Sequence, residues 1–139
     1  VGDVQLLGAT HQVVSPSGVY LGNDGILLED GTLASGTPYD DAIIDAALRL
    51  GERAAAVGFW GPCGTDAFVY ETLPGEEALR PVVELNARWT GGTVVLGRVL
   101  QSARDVKPPF RWSYRLSEDR MRHEPLVESR ELAGRDQIE

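Results

Sequence analysis

Two oxygen-bearing side chains and one guanidinium occur at alternating positions in a short stretch of the sequence. Glu84, Asn86 and Arg88 alternate with apolar residues over 83–88. Because successive side chains of a β-strand point to opposite faces, this pattern predicts a carboxylate, an amide and a guanidinium on one face of a strand. Carboxylate and amide oxygens are hard ligands that suit Mg²⁺, and a guanidinium binds carboxylate or phosphate through two parallel hydrogen bonds.

A second carboxylate lies on the preceding predicted strand, where Asp66 shares a face with Phe68 and Tyr70. A hairpin over a five-residue loop at 73–77 places Asp66 directly opposite Glu84, with Cβ atoms about 4.5–5.5 Å apart. Like charges in that position are destabilising, and a divalent cation between them removes the repulsion. The spacing is therefore compatible with a cation site, and a register slip of one residue would put the two carboxylates on opposite faces.

Other interpretations of the same residues remain open at this point. Acidic residues that alternate along a strand are most often the solvated face of a sheet, and a single arginine is usually a surface residue. Cys63 would need a nearby base to act as a nucleophile, and the sequence has only His11 and His123, so we expect a packed or unreactive thiol. Trp89, beside Arg88, is either an anchor or one wall of an acceptor pocket.

The composition limits the classes of partner. The 139 residues include 13 basic and 21 acidic side chains, a formal net charge of −8, with 42% apolar and 24% charged residues. These proportions are those of a globular domain, and the acidic balance argues against nucleic-acid and anionic-membrane partners. One cysteine excludes an internal disulfide and a cysteine-cage zinc site. Because the sequence has neither a signal peptide nor an apolar run of about 20 residues, we predict a cytoplasmic protein.

The first third of the chain reads as short strands and turns. Apolar and β-branched residues predict a strand over 4–14, and a turn cluster at 15–18 predicts that 19–21 returns as its hairpin partner. A second turn is predicted at 23–25, followed by a short strand at 26–28. The chain begins with valine and enters a strand at once, so we expect it to start inside a larger protein.

A helix is predicted next, beginning at Thr37 or Pro38 and ending near Gly51 or a few residues later, with Asp40 and Asp41 in the first turn, where the helix dipole favours negative charge. The alternation of elements predicts an α+β fold, a mostly antiparallel sheet with helices packed on one side. From 128 the chain is charged and is expected to be mobile. Further elements are expected as strands at 65–72, 78–88 and 110–116 and a helix at 93–103.

The ordered motifs over 60–92 resemble the C-terminal part of an ATP-grasp domain, the superfamily of D-alanine–D-alanine ligase and other carboxylate–amine ligases. The motifs are a glycine-containing turn with an acidic residue on the following strand (61–70), Glu-x-Asn-x-Arg on the next strand (80–88), and a small-residue turn into a helix (90–92). The resemblance extends less specifically over 4–58. It implies that residues 1–105 are the C-terminal subdomain of an ATP-grasp fold and that 106–139 are a partly irregular extension.

The resemblance also implies roles for individual residues. Asp66, Glu84 and Asn86 would hold the Mg²⁺ ions, with Mn²⁺ as an alternative, that bridge the phosphates of ATP, and Glu84 and Asn86 thereby contribute to the nucleotide site. Arg88 would be the catalytic residue that faces the acceptor or the acyl phosphate. The lysines and glycine-rich loop that hold ATP in this superfamily come from its earlier half, and the lone Lys107 lies downstream of the metal motif. An upstream half of the same polypeptide is therefore expected as a partner.

The expected activity is an ATP- and Mg²⁺-dependent ligation of a small-molecule carboxylate to an amine, or to a thiol, through an acyl phosphate, with this fragment inactive alone. The leading alternative is a non-catalytic nucleotide- or metal-binding module with the same fold. A plain acidic interaction domain is a third interpretation, and a homodimer is left open. No nucleic acid or membrane is expected as a partner.

Overall fold

The computed structural model describes residues 3–116 and the backbone of 123–126. Its secondary structure confirms the predicted α+β class, with antiparallel sheets and two helices. No helix in this described part is long and apolar enough to cross a membrane. In chain order the elements are β1 (His11–Val14), β2 (Tyr20–Leu27), β3 (Leu33–Ala34), α1 (Asp40–Ala56), β4 (Gly64–Leu73), β5 (Glu76–Asn86), α2 (Gly91–Ser102), a 3₁₀ turn (Ala103–Asp105), β6 (Phe110–Leu116) and β7 (His123–Leu126).

The chain divides into two compact units. The first unit contains residues 3–7 and 37–94, and the second contains residues 8–36 together with the described residues from 95 onward, so the division falls within α2. In the second unit, antiparallel strands form one sheet in the order β1-β2-β6-β7, and β3 also pairs with β2. The domain boundary predicted at 105 stays a prediction. The predicted mobile segment from 128 lies outside the described residues.

The strand predicted over 4–14 is mostly wrong, because only His11–Val14 is a strand. Gly8 interrupts it with a φ of 141°, and a Cβ at Gly8 would lie 2.7 Å from the Cβ of Leu33. The Ala9 amide donates to the Leu33 carbonyl at 2.9 Å, so the backbone passes close to β3 before β1 begins. The predicted hairpin between 4–14 and 19–21 is present as the antiparallel pair β1–β2.

The turn predicted at 23–25 is also wrong, because these residues lie inside the continuous strand β2. The buried Asn23 accepts a hydrogen bond from the Tyr20 hydroxyl and donates one to the Thr10 hydroxyl at 2.9 Å. Asp24 accepts two hydrogen bonds from the Arg115 guanidinium on β6, at 2.7 and 3.1 Å. These tertiary contacts override the local turn preference of Asn-Asp-Gly.

The hydrophobic core lies in the second unit, where the last part of α2 packs against β2, β3 and β6. The helix begins and ends near its predicted limits, and the predicted strand at 110–116 is confirmed. The apolar side chains buried between the helix and the sheet hold these elements together. The core consists of Leu27, Leu33, Val95, Leu96, Val99, Ala103, Phe110, Trp112 and Tyr114.

The first unit consists of α1 and the β4–β5 hairpin, which contact each other. The predicted helix is confirmed with Asp40 and Asp41 in its first turn and an end at Ala56, a few residues after Gly51. It begins at Asp40, later than the predicted Thr37 or Pro38. A Cβ at Gly51 would lie 2.9 Å from a methyl group of Val4, which shows how closely the segment 3–7 packs against the helix. None of the described side chains of this unit is fully buried.

Candidate functional site

The hairpin that carries the predicted site residues has a tighter turn than expected. Strands β4 and β5 are joined by the two residues Pro74 and Gly75, and Gly75 adopts a φ of 82° that favours glycine. Next to this turn, Glu71 pairs with Glu77. If the register set by the Glu71–Glu77 pair continued unchanged along the hairpin, Val82 would lie opposite Asp66.

A bulge in β5 changes the register before the site is reached. Phe68 pairs with Arg80 and Asp66 pairs with Glu84, so the three residues 81–83 face the single residue between Asp66 and Phe68. The bulge contains Pro81, which lacks the N–H that a regular ladder requires. The predicted opposition of Asp66 and Glu84 is therefore present, and it results from a short turn plus a bulge instead of a five-residue loop.

A row of hydrogen bonds connects three of the four predicted site residues. The Nη2 of Arg88 donates to the Oδ1 of Asn86 at 3.0 Å, and the Nδ2 of Asn86 donates to the Oδ2 of Asp66 at 3.2 Å. Glu84 joins the cluster through its position opposite Asp66. The Nη1 of Arg88 also donates to the Trp89 carbonyl at 3.4 Å, which holds the guanidinium near the end of β5.

The start of α2 supports the site end of the hairpin, and the sequence analysis missed this contact. Gly64 pairs with Asn86, and a Cβ at Gly64 would lie 2.8 Å from the Thr90 methyl group, so only glycine fits without a shift. The Thr90 hydroxyl accepts a hydrogen bond from the Thr93 amide at 3.2 Å, and the Thr93 hydroxyl accepts one from the Thr90 amide at 3.3 Å. The sequence signal for this contact was Thr90, three residues before Thr93. Such a spacing is typical of a helix N-cap, where a hydroxyl accepts a hydrogen bond from the amide of a residue in the first turn.

The site lies on an open surface of the first unit. Asp66, Glu84 and Arg88 are exposed and Asn86 is half-buried. A groove of about 320 Å³ elsewhere in this unit is lined by five residues and includes none of these four. In the described structure, these four side chains lie on the surface of the hairpin and do not line that groove. The groove residues are Ala46, Arg49, Leu50, Arg53 and Val82.

The donor set fits a magnesium ion in its chemistry. Two carboxylates from adjacent strands and one amide oxygen are hard ligands, and they leave coordination positions for phosphate oxygens and water. The Nδ2 of Asn86 faces Asp66 and its Oδ1 faces Arg88, so the amide would have to turn before its oxygen could share a cation with Asp66. Within the described residues, no group of three or more histidine, cysteine or acidic side chains forms a site of its own.

The remaining residues singled out in the sequence do not extend the site. Cys63 is half-buried just before β4, and the first unit contains no histidine to activate it. Trp112 is a core anchor with 2% exposure, whereas Trp60 and Trp89 are exposed. Arg115 is bound to Asp24, which agrees with a structural role.

One comparison with known proteins finds a partial match. The chain is 32% identical over 99 residues to the butirosin acyl-carrier protein–L-glutamate ligase of Niallia circulans, covering 71% of this chain and 21% of that protein. The chain thus spans about a fifth of the length of this curated relative. No family model and no solved structure matches the chain. The name of that relative is the name of a ligase.

Proposed function

We propose that this chain is the C-terminal part of an ATP-grasp ligase and carries the metal-binding strands and the acceptor wall of its active site. The observation that carries the proposal is the direct opposition of Asp66 and Glu84, with Asn86 and Arg88 beside them in one hydrogen-bonded row. The α+β fold with antiparallel sheets and the similarity to a ligase support it independently.

In this proposal Asp66 and Glu84 hold Mg²⁺ or Mn²⁺, and Asn86 adds a neutral oxygen ligand after its amide turns. The bound cation supplies charge neutralisation at the β- and γ-phosphate oxygens of ATP. Such neutralisation is required because the chain carries a net charge of −8 and would otherwise repel an anionic nucleotide. Like charges directly opposite each other in a hairpin are destabilising, and a cation between Asp66 and Glu84 would remove their repulsion.

The reaction would proceed in two displacements. A carboxylate oxygen of the acid substrate attacks the γ-phosphorus, and the bond from that phosphorus to the bridging oxygen breaks as ADP leaves with the electron pair. The amine or thiol acceptor then attacks the acyl carbon of the resulting acyl phosphate. The carbon–oxygen bond to the phosphoryl group breaks, inorganic phosphate leaves, and the acceptor proton passes to solvent. The protein acts mainly by positioning and by electrostatic stabilisation.

Arg88 is the residue that we assign to the reacting acyl phosphate. Its guanidinium is permanently charged and can bind two oxygens of one anion at once. The hydrogen bond to Asn86 and the contact with the Trp89 carbonyl restrict where the guanidinium can lie. Both bonds leave other N–H groups of the fork available for an anion, since a guanidinium has five donors.

The acid and the acceptor are proposals drawn from the relative. That relative is named as a ligase of L-glutamate and an acyl-carrier protein. We extend to this chain an amino-acid carboxylate as the acid and a carrier-protein group as the acceptor, which fits the carboxylate–thiol form of the reaction. The lysines that hold ATP would come from an upstream half of the same polypeptide.

The test is Glu84→Gln in the full-length protein, with ATP, Mg²⁺ and L-glutamate. We expect ADP release to fall at least about 100-fold, because the amide cannot balance the cation charge. Hydroxylamine trapping of the acyl phosphate should fall in parallel. The matched control is Glu76→Gln, an exposed glutamate of the same strand near the turn, which should keep normal turnover.

Normal ATP turnover in the Glu84→Gln protein would refute the assignment. The alternative, a non-catalytic module, predicts a different result in the unmodified protein. It predicts ATP or Mg²⁺ binding by calorimetry together with no ADP release and no trapped acyl phosphate under any acid tested.

A further inference from the structure

The side-chain amide of Asn86 lies between a carboxylate and a guanidinium, and these two neighbours determine its orientation. Its Nδ2 donates to the Oδ2 of Asp66 at 3.2 Å, and its Oδ1 accepts from the Nη2 of Arg88 at 3.0 Å. An ionised carboxylate can only accept hydrogen bonds, and a guanidinium can only donate them. The amide nitrogen must therefore face Asp66, and the amide oxygen must face Arg88, as long as both bonds are present.

A cation shared by Asp66 and Glu84 requires the opposite orientation of this amide. The Nδ2 of Asn86 carries two hydrogens and only donates, whereas Oδ1 is a hard ligand that suits Mg²⁺. When the oxygen turns toward Asp66, the NH₂ group turns toward Arg88, and two donors then face each other without an acceptor. The amide of Asn86 can therefore hold the cation or the guanidinium, and it cannot hold both.

Arg88 would remain attached to the end of β5 after it lost the Asn86 side-chain oxygen. Its backbone amide donates to the Asn86 carbonyl at 2.8 Å, and its Nη1 donates to the Trp89 carbonyl at 3.4 Å. Both acceptors belong to the backbone, so neither bond depends on the orientation of the Asn86 side chain. The turn of the amide would therefore free Nη2 and leave the rest of the arginine in place.

A comparison with Arg115 shows that Arg88 is held weakly enough to exchange its partner. Arg115 donates two hydrogen bonds to the Asp24 carboxylate, at 2.7 and 3.1 Å, and is fixed by an ion pair. Within the described residues, Arg88 forms no ion pair, and its side chain donates to two neutral oxygens. A neutral acceptor lacks the Coulomb attraction of a carboxylate. Asn86 thus separates Arg88 from Asp66 and keeps the guanidinium available for another anion.

We propose that Asn86 is a positioning residue that couples cation binding to the release of Arg88. Without a cation, its oxygen holds the guanidinium. When the same oxygen turns to become a ligand, the Nη2 of Arg88 is freed for an oxygen of the reacting acyl phosphate. Arg88 therefore binds that anion only after the cation site is filled. The inference rests on the proposed function, because it takes Asp66 and Glu84 as ligands of the cation.

The test compares Mn²⁺ binding by variants of the full-length protein, measured by electron paramagnetic resonance of the free ion. Arg88→Ala removes the competing donor, so its Mn²⁺ dissociation constant should be at least about threefold lower than that of Arg80→Ala. This matched control removes the same charge from an exposed arginine of β5 that pairs with Phe68 and has no hydrogen bond to Asn86 in the described structure. In an Asn86→Ala background the difference between the two variants should largely disappear, because the shared oxygen is gone.

A crystal structure of the full-length protein grown with Mg²⁺ gives a second readout that needs no variant. We expect the Asn86 Oδ1 at about 2.0–2.1 Å from the cation and more than about 3.5 Å from the Nη2 of Arg88. A bound cation with the bond between Asn86 and Arg88 still present would overturn the proposal. Equal Mn²⁺ dissociation constants for Arg88→Ala and Arg80→Ala would also overturn it.

The Mn²⁺ affinity of Glu84→Gln distinguishes a failure of this inference from a failure of the proposed function. If Glu84→Gln binds Mn²⁺ as tightly as the unmodified protein, the cation site is not at this hairpin, and both proposals fail. If Glu84→Gln weakens Mn²⁺ binding while Arg88→Ala and Arg80→Ala behave alike, the cation site stands and only the coupling through Asn86 fails.

Discussion

The two units of this chain differ in how their side chains are buried. In the second unit, apolar residues of α2, β2, β3 and β6 enclose a core around Trp112. In the first unit, α1 and the β4–β5 hairpin bring apolar residues together, yet no described side chain is fully buried. The candidate site lies in the unit without a core.

The difference shows that the two units are determined by different interactions. The hairpin has its register from a tight turn, a bulge at Pro81 and the fit of Gly64 beside Thr90, all of them within residues 64–90. The sheet of the second unit depends on contacts between residues far apart in sequence, such as Asp24 with Arg115. We therefore expect core substitutions to change stability strongly in the second unit and weakly in the first.

The largest difference is expected between two tryptophans. Trp112→Ala removes a side chain with 2% exposure from the second unit and should lower the free energy of unfolding by about 3–5 kcal/mol. Trp60→Ala removes one with 94% exposure from the first unit and should change it by less than about 0.5 kcal/mol. Urea unfolding followed by circular dichroism measures both. Equal losses would mean that the first unit also depends on a buried core.

A smaller difference is expected between two glycines. A Cβ at Gly25 would lie 2.3 Å from the Trp112 ring and 2.8 Å from the Ala34 carbonyl, so Gly25→Ala should cost about 2 kcal/mol. At Gly64 the nearest atom is a methyl group of Thr90, which can shift, and Gly64→Ala should cost about 1 kcal/mol or less. Thermal unfolding of both variants measures the contrast, and a larger loss at Gly64 would contradict it.

A third contrast concerns two ion pairs. Burial raises the pKa of the Asp24 carboxyl, but hydrogen bonds from Arg115 and Ser113 and the charge of Arg115 outweigh burial and hold the pKa below its usual value. Asp24→Asn should cost about 1 kcal/mol at neutral pH, since the pair is only partly shielded from solvent. Asp45→Asn breaks the more exposed pair with Arg49 and should cost less than about 0.5 kcal/mol.

The pH dependence of Asp24 follows from the direction of its shift. A carboxyl with a lowered pKa in the folded state stabilises the protein above its unfolded pKa of about 4, and this contribution is lost as the pH falls through the folded value. The urea midpoint of the unmodified protein should therefore drop more than that of Asp24→Asn on acidification. Parallel curves would show that the pair does not contribute.

The smallest effect is expected at Tyr39, whose hydroxyl donates to the Glu77 carboxylate at 3.1 Å and connects α1 with β5. This bond raises the pKa of the Tyr39 phenol, because the carboxylate favours the neutral donor. The contribution to stability is present below the unfolded pKa of about 10 and is lost as the pH rises through the folded value. Ultraviolet titration should show the phenol ionising at lower pH in Glu77→Gln, and an unchanged titration would contradict the bond.

Sequence reasoning succeeded where the information is local. The first helix was predicted with Asp40 and Asp41 in its first turn, and a strand was predicted at 110–116. The pairing of Asp66 with Glu84 was also predicted, although the loop length was wrong, because the bulge compensates for the short turn. The metal, catalytic and nucleotide roles of these residues stay predictions.

Sequence reasoning failed where distant residues decide the conformation. Asn-Asp-Gly at 23–25 has strong turn propensity, yet Trp112, Thr10 and Arg115 hold it in a strand. The residues that make these contacts lie up to about ninety positions apart in the sequence. Local conformational preferences do not identify which of these distant residues will meet.

The amino-acid sequence by itself determined the alternation that places Glu84, Asn86 and Arg88 on one face, because the period of a strand is a property of the backbone. The tertiary structure decided that a short turn and a bulge bring Asp66 opposite Glu84, and how the amide of Asn86 is shared between Asp66 and Arg88. It also decided that the site unit has no buried core. Register and burial depend on how turns, bulges and neighbouring elements fit together in space, and that fit is set by the whole fold.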